Sequence, residues 1–272
     1  MLERNRIYTL DCREGLTMLD PGTVDVIVTS PPYNIGTGYH TYRDQMPQRD
    51  YISWLQEVVS GCRQVMKENA SLFFVMGGTL KNPWIPLEAA CAFRSILVLQ
   101  NMIHWIKSIT IPCEYLIACP ASAHELQIGQ KKPDVSDLHH PIGHEFIFHF
   151  TKHGDVHLGK FPTEEMRSGT GAADQPTNTE VRDPGNAWFI PDAQPGETRH
   201  PAVFPVRLAR ACIVDHGSGS TSLVLDPFMG IGSTALACLE LGADFIGFEI
   251  DPAYAAIANQ RIREWKQKEK RF

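Results

Sequence analysis

The chain has no excess of positive charge: 25 Lys and Arg stand against 31 Asp and Glu, a formal net charge of −6. Proteins that grip nucleic acid over a broad surface carry a basic footprint, because they neutralise phosphates. Such a footprint is absent, which leaves room only for a local basic cleft. Paired cysteines are absent too. Cys12, Cys62, Cys91, Cys113, Cys119, Cys212 and Cys238 are odd in number, scattered, and include no Cys-x-x-Cys, which argues against a disulfide framework or a zinc ribbon. Reduced thiols in the cytoplasm are the expectation. No run approaches the ~20 apolar residues of a membrane span, and no positively charged leader precedes an apolar segment, so a soluble protein without membrane partners is expected. What the chain does have is 43% hydrophobic and 21% charged residues over 272 positions, enough to bury a sizeable core.

Those apolar residues alternate between short runs and helical spacing. Ile7 to Leu10 and Val24 to Val28 read as strands, with a short helical stretch through Leu16 and Met18 between them. Asp50 to Val65 repeats apolar residues at helical spacing, and Ser71 to Val75 is a strand bounded by Gly77-Gly78. The pattern continues with a helix from Ile85 to Phe93, a β-rich run from Ile96 to Ile106 and a strand from His144 to Phe150. It ends with a helix from Val203 to Val214, a strand at Leu223 to Leu225, a helix from Ser233 to Leu241, a strand at Phe245 to Phe248 and a helix from Pro252 to Lys268. This alternation specifies an α/β fold whose mostly parallel sheet is covered on both faces. Two stretches, about 112–141 and 154–200, break the rhythm with Gly, Pro and polar residues, and loops that long inside one domain usually carry function.

Gly230-Ile231-Gly232-Ser233-Thr234-Ala235 fits the G-x-G-x-x-A nucleotide fingerprint, after a strand and before a helix. The glycines let backbone approach a ligand, and the helix start favours a negative group. Glu249 ends the next strand, where a carboxylate can accept from both hydroxyls of a ribose. A nicotinamide cofactor and S-adenosylmethionine explain these residues equally well. Asp226-Pro227-Phe228 favours the second, because a carboxylate before the Gly-rich loop repels a pyrophosphate and welcomes an ammonium. Phe228 offers a flat apolar wall, and Ile250-Asp251-Pro252 is expected to start a helix beside the adenine pocket.

Thr29-Ser30-Pro31-Pro32-Tyr33 follows an apolar strand as a loop at the carboxyl edge of the sheet, where open α/β sheets bind ligands. Two prolines fix the backbone and remove two N–H groups, so the loop presents acceptors in a rigid frame. Such a frame suits an amine: the Ser30 hydroxyl and the Pro31 carbonyl can hold its two N–H groups while Tyr33 stacks on the attached ring. No metal site is expected. His139, His140 and His144 cluster, but no Cys or paired carboxylate completes a ligand set.

The two motifs together resemble one family. Leu225 to Thr234 is similar to the Asp-Pro-Phe-x-Gly-x-Gly-[Ser/Thr] cofactor motif of the amino DNA methyltransferases. Ser30-Pro31-Pro32-Tyr33 is similar to that family's Ser-Pro-Pro-Tyr motif, whose first position is Ser in most cytosine enzymes and Asp or Asn in most adenine enzymes. The catalytic motif precedes the cofactor motif, as in the circularly permuted β group. Asp11-Cys12 resembles the family's site for the adenine amino group of the donor, His200-Pro201-Ala202-Val203-Phe204-Pro205 the segment lining its methionine side, and His144-Glu145 a structural strand start. The resemblance runs from about Arg6 to Arg261.

It implies a Rossmann-like S-adenosylmethionine-dependent methyltransferase fold: a mostly parallel twisted sheet with helices on both faces. It implies one catalytic domain over residues 1–272 with irregular target-recognition insertions at about 112–141 and 154–200. Ser30, Pro31, Pro32 and Tyr33 would be catalytic. The donor would be held by Asp11, Cys12, Ser30, His200, Pro201, Phe204, Asp226, Pro227, Phe228, Gly230, Gly232, Ser233, Glu249 and Ile250. The activity implied is methylation of an exocyclic base amine in double-stranded DNA, N4 of cytosine ahead of N6 of adenine, on a base flipped out of the stack. A homodimer and a cognate restriction endonuclease are left open as partners, as are the alternatives of a nicotinamide-dependent oxidoreductase and an idle DNA-binding subunit.

Overall fold

Strands buried on both faces must be apolar at almost every position, and Val24–Thr29 and Leu223–Asp226 are. They lie side by side at the middle of the sheet in the computed structural model, which describes residues 2–107, 109–112, 125–128, 142–154, 185–191 and 203–269. The first half of the chain forms β1 (Arg6–Thr9), α1 (Cys12–Thr17), β2 (Val24–Thr29), α2 (Gln48–Val65), β3 (Met66–Met76), α3 (Ile85–Ala92) and β4 (Val98–Ile106). A β5–β6 pair (Ile109–Pro112, Glu125–Ile128), β7 (His144–Thr151) and β8 (Ala187–Phe189) follow. The chain closes with α4 (Val206–Asp215), β9 (Leu223–Asp226), α5 (Ser233–Leu241), β10 (Asp244–Glu249) and α6 (Pro252–Glu269).

Eight strands make one sheet in the order β1-β10-β9-β2-β3-β7-β4-β8. Only β7 runs against its neighbours; the other pairings are parallel. The mostly parallel sheet implied by the alternation is therefore the observed one. Side chains alternate across it: Val26, Val28, Phe73 and Val75 join the cluster under α4, α5 and α6, while Ile27, Leu72, Phe74 and Met76 join the cluster under α1, α2 and α3. From β2 the chain departs to α2 on one face, and from β9 to α5 on the other. Adjacent strands whose connections leave to opposite faces open a crevice at their carboxyl ends, and that crevice is the ligand site of open α/β sheets.

Four elements depart from the sequence reading. Helix α4 starts at Val206 rather than Val203, because Pro205 takes the N-cap with extended backbone. Strand β3 starts at Met66, five residues before Ser71, through a polar Lys-Glu-Asn run on the partly exposed end of the strand. Strand β8 adds a sheet edge inside the stretch read as irregular: it pairs with β4 and buries Trp188. The β5–β6 hairpin likewise reaches into the first irregular stretch. Apart from residues 154, 185–186 and 190–191, the rest of both stretches, with His139, His140, Cys113 and Cys119, lies outside the described residues. Among the described residues, no helix is long and apolar enough to cross a membrane.

Candidate active site

The two loops that leave β2 and β9 are tied together by one side chain. Asp226 ends β9 and is 1% exposed. Its Oδ1 accepts the Thr29 hydroxyl at 2.8 Å and the Phe228 amide at 3.0 Å, and its Oδ2 accepts the Thr234 hydroxyl at 2.6 Å. Thr29 immediately precedes Ser30 and Thr234 lies in the first turn of α5, so this carboxylate sets the position of one loop relative to the other. Burial pushes its pKa up to about 6, against the pull of those hydrogen bonds. It does not line the cavity between the loops. Three internal donors hold Asp226 in place, two on Oδ1 and one on Oδ2, so its observed contacts are to the loops it ties.

The Gly-rich loop turns through Gly230 and Gly232, with φ of 53° and 87°. A Cβ on Gly232 would also come 3.1 Å from the Cβ of Ala258 on α6. The Gly230 amide donates to Glu249 Oε2 at 2.7 Å and the Asp251 amide to Oε1 at 2.8 Å. These bonds hold Glu249 at the end of β10 with its carboxylate on the cavity lining; burial raises its pKa while the two amides pull it down. Ser233 opens α5 on the same lining, and its buried hydroxyl has no partner among the described residues. A buried orphan hydroxyl costs free energy and calls for a ligand or water. Phe228 forms the apolar wall, backed by Trp54 of α2 with ring centroids 5.4 Å apart.

Across the cavity, the Pro32 carbonyl accepts the hydroxyl of fully buried Tyr51 at 2.6 Å, which anchors the Ser30–Tyr33 loop to α2. Among the described residues none donates to the Pro31 carbonyl. The Ser30 hydroxyl donates to the Tyr33 hydroxyl at 2.9 Å, and Tyr33 donates in turn to Glu145 Oε2 at 2.9 Å. Burial, then the Glu145 charge, hold the Tyr33 pKa well above that of a free phenol, so it stays neutral. Lys107 donates to Glu145 Oε1 at 2.5 Å and stands 4.3 Å from the centre of the Trp105 ring. The cavity enclosed by both loops is about 890 Å³, toward the upper end of small-molecule sites and large enough for two planar ligands.

Asp11 and Cys12 close one end of it. Asp11 caps α1 through the Arg13 amide at 2.8 Å and pairs with the Arg13 guanidinium at 3.1 Å. Burial works to raise its pKa, and Arg13 outweighs burial and brings it below the ordinary value. Burial pushes the Cys12 thiol up to about 12, which keeps it neutral.

The DNA methylase family model, of the N6/N4 class, matches residues 24–260. The chain belongs to the DNA methylase family. The type II methyltransferase M.BglII of Bacillus subtilis is 26% identical to it, over 94% of this chain and 68% of that protein. The DNA adenine methyltransferase YhdJ of Escherichia coli K12 is 25% identical over 96% of this chain and 83% of that protein. The solved PvuII DNA methyltransferase (cytosine-N4-specific) superposes with a TM-score of 0.68 at 17% identity, over 93% of this chain and 84% of that one.

In this DNA methylase, Pro227, Phe228, Gly230, Ser233, Glu249 and Ile250 share one lining with Ser30, Pro31, Pro32 and Tyr33. Phe204, Asp11 and Cys12 join them, with Ile250 47% exposed at the rim. Gly232 lies behind the lining and serves the turn. His200 and Pro201 lie outside the described residues. Sequence reasoning missed Trp54 and Tyr42, which stack with centroids 6.0 Å apart: an aromatic at helical spacing on α2 reads as ordinary core, and Tyr42 lies in the loop before α2, where no periodicity marks it. It also treated Glu145 as a strand-start residue, whereas its carboxylate faces the cavity.

Proposed function

We propose that the chain transfers a methyl group from S-adenosylmethionine to the exocyclic N4 amine of cytosine in double-stranded DNA. The observation that carries this is the shared cavity: the Ser30–Tyr33 acceptor loop faces the Phe228–Glu249 ligand side across one enclosed space. The residues fit the donor. Each Glu249 oxygen has a lone pair left beyond its backbone donor for a ribose hydroxyl, Phe228 walls an adenine, Asp11 takes the adenine amine, and Ser233 offers an unpaired hydroxyl. His200 and Pro201 complete the donor set by resemblance. When bound, S-adenosylmethionine supplies an electrophilic methyl group.

This chain's part is then orientation. A cytosine N4 is a poor nucleophile because its lone pair is delocalised into the ring. Ser30 Oγ and the Pro31 carbonyl accept its two N–H groups and turn the remaining lone pair toward the donor side. On taking the methyl group the amine nitrogen would become cationic, and both acceptors would disperse that charge until one N–H proton passes to water. The amine lies inside the stack of a duplex, so the base is flipped into the cavity. One catalytic domain with recognition elements in the two irregular stretches, acting beside a cognate restriction endonuclease as the type II names of its relatives suggest, completes the reading.

Ser30 supports cytosine. The relative named as an adenine methyltransferase, aligned over 96% of this chain, keeps N6 of adenine as the second reading. Mass spectrometry of nucleosides from unmethylated genomic DNA incubated with the protein and S-adenosylmethionine decides between them. N4-methylcytosine is expected. N6-methyladenine as sole product would overturn the base and keep the amino-methyltransferase chemistry, and in a parallel reaction with transcripts, product found there and none on DNA would move the substrate to RNA.

A further inference from the structure

Three segments far apart in the chain converge on one carboxylate. Glu145 is the second residue of β7 with its side chain 17% exposed; Lys107 follows β4 with its side chain 15% exposed; Tyr33 ends the acceptor loop. Gly77, just beyond β3, makes room for this carboxylate, since a Cβ there would stand 2.7 Å from Glu145 Cγ. Nothing in the reaction proposed above uses Glu145.

The direction of the hydrogen bonds gives it a role. Both oxygens of the Glu145 carboxylate accept, Oε1 from the Lys107 ammonium and Oε2 from the Tyr33 hydroxyl. Tyr33 must therefore donate to Glu145, which leaves the phenol oxygen as an acceptor for Ser30. The single Ser30 proton is thereby committed to Tyr33, and only lone pairs of its oxygen remain for a ligand. An ionised Asp at that position could only accept, whereas a serine hydroxyl rotates and can offer either face. Resting on the proposed reaction, we infer that Glu145 is a positioning residue which, through Tyr33, fixes Ser30 as an obligate acceptor for the target amine. The Lys107 ammonium donates to the other oxygen of Glu145 and holds the carboxylate in place for Tyr33. Bonds in such a series polarise one another, which makes Ser30 a stronger acceptor as the amine gains charge.

The test is a double-mutant cycle on the full chain. Initial rates are measured with labelled S-adenosylmethionine and unmethylated genomic DNA, and donor affinity by calorimetry. Glu145→Gln keeps the shape but can donate to Tyr33 and reverse the series, so a fall of about tenfold or more in kcat is expected, with donor affinity within about twofold. Tyr33→Phe should cost a similar factor. The double variant should lose no more than the worse single one, because both break the same series. Retained kcat in Glu145→Gln, or losses that multiply in the double variant, would overturn the inference. If Glu145→Gln does not fold by thermal melting, Tyr33→Phe carries the test alone: unchanged kcat, or a loss matched by donor affinity, overturns it. No methylated nucleoside from the wild-type chain would bring down the proposed reaction and this inference together, whereas product from the wild type with indifferent variants brings down only the inference.

Discussion

A buried carboxylate can earn its place by touching a ligand or by holding the residues that do, and Asp226 is of the second kind. Its three donors come from both sides of the cavity, so the side chain couples the acceptor loop to the donor loop. The coupling works against stability at neutral pH. The native pKa of about 6 lies above the ordinary value of 3.8, so the native state holds the proton more tightly than the unfolded chain. The associated stability is full below the unfolded pKa and is lost as pH rises through about 6. Asp226→Asn keeps shape and acceptor oxygen without the charge. Urea denaturation at several pH values should show the balance moving toward the variant by on the order of 2–3 kcal/mol between pH 4 and pH 8. A difference that does not change with pH would mean that the native carboxylate is not desolvated.

At the other end of the strands, β3, β7 and the end of α4 are joined by a buried and a half-buried histidine around one serine. His149 of β7, fully buried and stacked on Phe73 at 4.5 Å, meets Ser71 Oγ at 2.8 Å, and His216 meets the same oxygen at 2.9 Å. Burial first, then the neighbouring His216, bring the His149 pKa down to about 4. Burial also lowers the His216 pKa, against the pull of Asp25, which is paired with Lys67. A histidine with a depressed native pKa contributes stability that is present above its unfolded pKa near 6.5 and is lost as pH falls toward 4. The wild type should therefore lose on the order of 3 kcal/mol across that window, and His149→Phe should flatten the curve in chemical denaturation. An equal slope in both proteins would assign the acid sensitivity elsewhere. Neither histidine was legible as a partner of Ser71, since 78 and 145 residues separate them from it. The same limit applied at the site. Both half-sites were readable as local motifs, and α5 was read to the residue, because Gly232 and Gly242 mark its ends in sequence. The direction of Asp226 was not readable, since it depends on Thr29, 197 residues away. Nor was the role of Glu145, whose partner Tyr33 is 112 residues away. Strand β8 was missed because three residues in a polar stretch carry no periodicity.

The order of the motifs along the chain matters little to the molecule, because β2 and β9 meet at mid-sheet whichever comes first. What the sheet adds on its far side, β7, β4 and β8, supplies Glu145, Trp105 and the approach to the second irregular stretch. That stretch therefore has two duties: its end holds β8, where Trp188 is buried and the Ile190 carbonyl accepts the Trp105 indole N–H at 2.7 Å, and the remainder is assigned by the proposed function to reading DNA. The duties can be separated. Replacing residues 160–180 by a Gly/Ser linker leaves β8 in place, so the melting temperature and the affinity for S-adenosylmethionine should not change. Replacing 160–199 removes β8 and should lower the melting temperature as well, since a buried tryptophan typically contributes several kcal/mol. In the shorter replacement, methylation should lose its sequence preference, and DNA binding should depend less steeply on salt wherever phosphate contacts are removed. Sequencing of methylated sites after reaction with each variant measures the preference directly. Selectivity that survives the 160–180 replacement would transfer target recognition to the first irregular stretch, beside the β5–β6 hairpin.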